Sequence, residues 1–269
     1  MQLSDELNSS WRKTASAIYK KPTDSKIFGS VEIDITDLEH YINQKRKQGI
    51  KVTLTHIFTL ATARAAKYEV PQLNTYVKRG NIYSYPSIDV AVSVLLGNGE
   101  MSSVKLLNAD MLTLKESVDK LTELIGQSRG GEENKTMKNK DLLAKIPWPF
   151  RTWFYAIIKK IMVDWGLSFP KIGLSANNFG SFMISNIGSL GLDIGYPALF
   201  PSGNISIVLI LGGVSKKPLV INDEIVPRSV LKLGIAIDHR LLDASHGGKL
   251  FKYLKKIVRN PALLEERMA

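Results

Sequence analysis

The stretch from residue 205 to 258 constrains this chain more than any other. Residues 205–211 (ISIVLIL) and 229–238 (SVLKLGIAID) read as strands, the second alternating with the period of two that a half-buried strand requires. Between them, 218–221 and 225–228 flank Asn222-Asp223-Glu224 as a hairpin. A helix over about 245–258 then turns Leu250, Phe251, Leu254 and Ile257 inward and Lys249, Lys252, Lys255 and Lys256 outward, and Asn260-Pro261 ends it. A chain carrying this run builds a sheet and lays a helix against it.

The preceding residues supply more of both. Residues 28–35 (FGSVEIDI) alternate like a strand, and Thr36-Asp37-Leu38-Glu39 has the capping-box pattern of a helix that stops near Gly49. A second helix over 54–68 puts Leu54, Ile57, Leu60, Ala61 and Ala65 on one side, and 87–95 (SIDVAVSVL) reads as a strand. Thr113-Leu114-Lys115-Glu116 repeats the capping box before a helix striped by Leu114, Val118, Leu121 and Ile125. From about 127 to 141 the chain is polar and predicts an exposed loop. Phe150, Trp153, Phe154, Ile157, Ile158, Ile161, Met162 and Trp165 then recur at helical spacing, opposite Arg151, Lys159, Lys160 and Asp164. Residues 180–186 (GSFMISN) give a further strand. There is no internal repeat. The order of elements predicts an α/β class protein, a single mixed-sheet domain over 1–269 with an insertion at about 130–175.

Composition narrows the chemistry. At 44% hydrophobic and 23% charged residues, the 269-residue chain has the make-up of an ordinary globular protein. Its net charge of +11 attracts nucleic acid, anionic membrane and polyanionic small molecules alike, and no nucleic-acid motif or Lys/Arg block selects the first. With no cysteine, disulfides, thiolate catalysis and thiolate metal sites are excluded. The first residues lack the pattern of a signal peptide and the apolar runs are too short for a transmembrane helix, so a cytoplasmic protein is expected.

Four histidines are available for acid–base work. His40 and His56 fall within or near the start of predicted helices and read as incidental, and His246 reads as a surface residue at the head of the last helix. His239 closes a strand in Ile237-Asp238-His239-Arg240-Leu241-Leu242-Asp243, where its backbone is fixed and its side chain can protrude. A carboxylate four residues on can orient a nearby positive charge, but an HxxxD pattern alone is as easily structural.

Its surroundings are more specific. LKLGIAIDHRLLDASHGGKLFKYLKKIVRNPALL resembles the end of the catalytic domain of 2-oxoacid dehydrogenase acyltransferases, where a strand leads into DHRxxDG, a helix and a closing Pro–Leu-Leu. GSFMISNIGSLGLD is similar to that family's GxFTISNLGxxG segment, and VEIDITDLEHYI, VTLTHIFTLATARAAKYEVPQLNTYV and IYSYPSIDVAVSV follow more loosely. The resemblance covers nearly the whole chain except about 130–175. It implies a chloramphenicol-acetyltransferase-like fold, trimeric, acting on coenzyme A thioesters. His239 takes the position of the general base that deprotonates the thiol of coenzyme A or dihydrolipoamide, work suited to a neutral imidazole. Ser185, first of Ser185-Asn186, takes that of the serine that stabilises the oxyanion. Asp243 matches the motif's second carboxylate, in an orienting and structural role, and Arg240 reads as an ion-pair partner. His239 and Ser185 are then expected to meet across the trimer interface.

The chain also departs from the family pattern. Ala244 replaces the motif glycine, and NGEMSSVKLLNAD lacks the GLxxPV pattern. No lipoyl or subunit-binding domain is recognisable, so lipoamide would have to be supplied in trans by a lipoyl or other acyl carrier protein. The aromatic helix of 148–166 is expected to pack on this protein or a neighbouring subunit, with membrane-surface contact and a lid over a long acyl chain as alternatives. The charged ending Leu263-Leu264-Glu265-Glu266-Arg267-Met268-Ala269 argues for a free homotrimer over a large cage. Three functions remain open: a stand-alone acyl-coenzyme A acyltransferase, a non-catalytic trimeric scaffold, and the orthodox role within a 2-oxoacid dehydrogenase complex. A serine hydrolase is disfavoured because G-x-S-x-G is absent.

Overall fold

The structure, a computed structural model, describes residues 25–97, 99, 101–130, 145–147, 149–169, 177–200 and 203–268. Its framework is a six-stranded mixed sheet in the order β1-β8-β7-β6-β4-β5. The strands are β1 (Lys26–Asp34), β4 (Val90–Leu95), β5 (Met101–Leu106), β6 (Phe182–Asn186), β7 (Ile207–Ile221) and β8 (Glu224–Asp238), while β2 (Thr75–Lys78) and β3 (Asn81–Ser84) form a separate two-stranded ribbon. β6 lies parallel to both β4 and β7, and the other pairings are antiparallel.

The predicted hairpin is longer than the sequence suggested. What reads as four segments, 205–211, 218–221, 225–228 and 229–238, is one pair of 15-residue strands, β7 and β8, with Ile221 opposite Glu224. The loop is therefore only Asn222-Asp223, both with positive φ (51° and 65°), the backbone that a two-residue turn matching the strand twist demands. A bulge between Leu211 and Val214 breaks the register, and there Gly212 is required: a Cβ would run into the Asp193 carbonyl.

Helices α1 (Thr36–Lys47), α2 (Leu54–Tyr68), α3 (Leu114–Arg129) and α5 (Ala244–Arg259) contribute to the principal core. Strand residues of one parity, such as Val90, Val92, Ile184, Ile207, Leu209 and Ile235, meet Leu38, Ile57, Phe58, Leu121, Leu250 and Leu254 there. Among the described residues the opposite face carries a small cluster, Ala91, Phe179, Ile205, Val208 and Ile210, with no helix in it. One face of the sheet is thus deeply covered and the other thinly.

The helix starts divide into expected and unexpected. Thr113 and Glu116 form the predicted box, Glu116 accepting the Thr113 N–H at 2.9 Å. The box predicted at Thr36 does not form. Asp34 accepts both the Thr36 N–H (3.0 Å) and its hydroxyl (2.8 Å), and that hydroxyl in turn accepts the Ser229 N–H, so Thr36 ties the end of β1 to β8. Two histidines supply the caps that sequence reading overlooked: His56 at α2 and His246 at α5 accept the N–H groups of Thr53 and Asp243. Buried Arg64 on α2 holds the chain's last turn, donating to the carbonyls of Leu112 and Leu263.

The aromatic helix exists as α4 (Phe150–Lys159), continued by one π-helical turn over Lys160–Asp164. No described residue of α4 is buried; Phe150, Trp153 and Phe154 are exposed. Among the described residues the π turn is anchored through buried Met162 and Val163, an Asn204 side chain on the Val163 carbonyl (3.1 Å) and the Arg79 N–H on the Asp164 carbonyl (2.8 Å). Packing of this helix within the described part of its own subunit is therefore limited to its root. The polar stretch predicted as a loop begins inside α3, which runs to Arg129, and its residues 131–141 lie outside those described.

Candidate active site

β8 ends at Asp238 because the chain there turns into a bonded loop. The Asp238 N–H donates to the Ser206 carbonyl, and the next N–H, of His239, donates to the Ser25 carbonyl at 2.9 Å. Buried Asp238 accepts the Arg240 backbone N–H (3.0 Å) and two guanidinium nitrogens (2.9 and 2.6 Å), which raises the Arg240 pKa further. Arg240 is thus the ion-pair partner its position suggested, and Asp238 a clamp on either side of His239.

The imidazole is oriented by two acceptors. Nδ1 lies 2.9 Å from the Leu242 carbonyl and 3.3 Å from Asp243 Oδ1. A carbonyl cannot donate, so Nδ1 carries the proton of the neutral ring and Nε2 has the free lone pair. The His239 and Asp243 side chains are 50% and 68% exposed, so their pairing contributes little stability and acts on orientation. Ala244 is the first residue of α5 and has no positive φ, so alanine fits where the motif has glycine.

Ser185 sits on β6, buried, with the Ser93 hydroxyl of β4 donating to its Oγ at 2.6 Å. Ser185 is left with its own proton free to donate elsewhere. Neighbouring Asn186 donates to Thr55 Oγ1 and accepts the Ser189 N–H. Beside this pair lies a cavity of about 470 Å³ lined by Lys51, Thr53, Thr55, His56, Ser93, Arg129, Asn186 and Ser189 with apolar neighbours. Its described lining contains two permanent cations and no carboxylate. Ser93 carried no local sequence signal; only the pairing of β4 with β6 brings it to Ser185.

His239 and Ser185 do not meet within one chain. Ser185 is level with Ile210 and, across β7, with Gly234, so His239 stands five residues along and two strands away. At about 3.3 Å per residue and 4.8 Å per strand, that is roughly 19 Å. No hydrogen bond joins them among the described residues.

The comparisons with known proteins match this architecture. The family model for the 2-oxoacid dehydrogenases acyltransferase (catalytic domain) matches residues 4–140 and 171–265, leaving out 141–170, which contain α4. The chain is 24% identical over 266 residues to the dihydrolipoyllysine-residue acetyltransferase component of the Mycoplasma capricolum pyruvate dehydrogenase complex, covering 96% of this chain and 51% of that protein. It spans about half or less of the length of such curated relatives. Among solved structures, a probable dihydrolipoamide acetyltransferase from Listeria monocytogenes superposes with a TM-score of 0.64 at 22% identity, covering 97% and 95% of the two chains. The Azotobacter vinelandii dihydrolipoamide acetyltransferase, studied for the roles of one serine, one histidine and one asparagine in its catalytic mechanism, gives 0.66 at 17% identity, covering 90% and 84%.

Proposed function

The chain belongs to the family of 2-oxoacid dehydrogenase acyltransferase catalytic domains, and from that premise we propose that it transfers acyl groups between coenzyme A and a second thiol, in a site assembled between subunits. The observation that carries the proposal is the separation of two half-sites: a base whose Nε2 has no partner among the described residues and a buried serine hydroxyl lie about 19 Å apart in one chain. Neither can serve the same thioester unless a neighbouring copy brings its own His239 to Ser185. A homotrimer supplies that arrangement three times over. In the Azotobacter protein the histidine and asparagine are four positions apart, as are His239 and Asp243 here.

His239 Nε2 takes the proton of the incoming thiol, and the thiolate adds to the thioester carbonyl. The new C–S bond leaves a negative oxygen, to which Ser185 donates its hydroxyl proton as a hydrogen bond. Collapse expels the other thiolate, which recovers the proton from the imidazolium. Leu242 and Asp243 hold Nδ1–H throughout, so the ring neither rotates nor presents the wrong nitrogen. The cavity beside Ser93 and Asn186 is suited to the coenzyme A arm, with Lys51 and Arg129 at hand for phosphate. Dihydrolipoamide, named for the relatives, is the second thiol that this reading favours.

The test uses purified protein and His239→Ala with a panel of acyl-coenzyme A thioesters and dihydrolipoamide, amine and hydroxyl acceptors, loss of the acyl-coenzyme A and gain of the acylated acceptor being followed by chromatography. Turnover by the wild type that collapses in the variant is the expected result. Absence of both turnover and coenzyme A binding would favour the scaffold reading instead.

A further inference from the structure

The Nδ1 atom of His56 is already committed. It accepts the Thr53 backbone N–H at 3.1 Å, closing the capping box of α2, and stands 2.9 Å from Thr53 Oγ1. A ring nitrogen that accepts a backbone N–H carries no proton, so the proton of the neutral ring is on Nε2. Nε2 has no hydrogen-bond partner among the described residues, although His56 is only 6% exposed and lines the cavity beside Ser93 and Asn186. His56 Nε2 is not among the fully buried side-chain atoms that lack a partner, so it opens onto the cavity as a donor to which a ligand can bring an acceptor.

The charges around it fix its form. Arg46, which acts electrostatically on the ring, and Lys51 and Arg129, which line the cavity, are all cations. Burial first, and Arg46 second, push the His56 pKa down to about 4. Lys51 and Arg129 are exposed at the cavity's rim whereas His56 is buried in its wall. A ligand's charged end belongs with the rim cations, because a full charge carried to a buried wall is costly.

From this geometry we infer that His56 determines specificity in the cavity, its fixed Nε2–H reading a neutral carbonyl acceptor on the ligand's arm. The inference rests on the acyltransferase reading of the cavity and adds to it an uncharged contact point distinct from the base His239.

Two variants and one spectroscopic measurement test it. His56→Gln keeps an oxygen for the Thr53 N–H and a nitrogen donor for the cavity, whereas His56→Leu keeps neither. With acetyl-coenzyme A, the KM of His56→Gln stays within about threefold of wild type, while that of His56→Leu rises about tenfold with kcat within about twofold. In the wild type, nitrogen NMR of the imidazole, assigned by its loss in His56→Gln, shows the neutral Nε2–H form from about pH 5 to 8. An unchanged KM in a folded His56→Leu, or a ring protonated on Nδ1 in that range, overturns the inference and leaves acyl transfer standing. A wild type that neither binds coenzyme A nor turns over any acyl-coenzyme A of the panel overturns both.

Discussion

The proton on His239 Nδ1 has two acceptors of unequal standing, and the difference decides what Asp243 contributes. The Leu242 carbonyl is nearer (2.9 against 3.3 Å) and cannot be removed by a side-chain substitution. Asp243→Asn is therefore expected to retain kcat within about threefold, since the tautomer survives on Leu242 and only the carboxylate's stabilisation of the imidazolium is lost. Steady-state kinetics would show it; a loss of a thousandfold would mean that Asp243, not the carbonyl, sets the tautomer. Ser185→Ala removes the oxyanion donor and should lower kcat by about 10²–10³ with little change in KM. Ser93→Ala leaves that donor but frees its rotation, and a smaller loss, about tenfold, is expected. Equal losses for the two serines would make Ser93 a donor in its own right.

Helix ends show what was legible in the sequence and what was not. Thr113-x-x-Glu116 reads as a box and is one, because both partners are local. Thr36-x-x-Glu39 has the same letters, but Asp34 and Ser229, the latter 193 residues away, claim the hydroxyl first. Tertiary pairing of β1 with β8 overrides the local pattern. Thr53-x-x-His56 is hidden for the opposite reason: the third position is not Glu or Gln, yet an unprotonated Nδ1 can also accept a backbone N–H. Strand positions, the last helix and the placement of His239 at a strand end could be read directly; Ser93 and Leu242 could not, one being brought by strand pairing and the other acting through its backbone.

Charge at one of these caps gives a pH dependence of known sign. The Thr113 N–H, followed by Arg267, holds the exposed Glu116 carboxyl down to about 2 from its ordinary 4.5. A pKa lowered on folding contributes stability above the unfolded value and loses it as pH falls towards the folded one. Glu116→Gln keeps an acceptor for Thr113 but not the charge. Its denaturant midpoint should lie below that of wild type above pH 4.5, and the two should converge between pH 4.5 and about 2. Parallel curves across that interval would dissociate Glu116 from acid sensitivity.

Among the described residues, the whole molecule pairs a thinly covered sheet face with an aromatic helix that has no buried residue. The root of α4 lies close to the proposed base: Asp164, in its π turn, acts electrostatically on Arg240, the residue after His239. If His239 serves the Ser185 of a neighbour, the surface around Arg240 faces that neighbour, and α4 grows out of the same surface. Phe150, Trp153 and Phe154 then have a partner surface within reach, and burying each large side chain contributes about 1.5–3 kcal/mol. Trp153→Ser with Phe154→Ser is accordingly expected to shift the protein from trimer towards monomer in sedimentation at micromolar concentration. Acyl transfer should fall in step, because a lone chain holds two half-sites and no complete one. Mixing the His239→Ala and Ser185→Ala proteins makes the same point from the other side: exchange of subunits regenerates sites with both residues intact, and part of the activity returns. A trimer untouched by the double substitution, combined with flotation of the wild type but not the variant on anionic vesicles, would instead assign the aromatic face, with Arg151, Lys159 and Lys160 beside it, to a lipid surface.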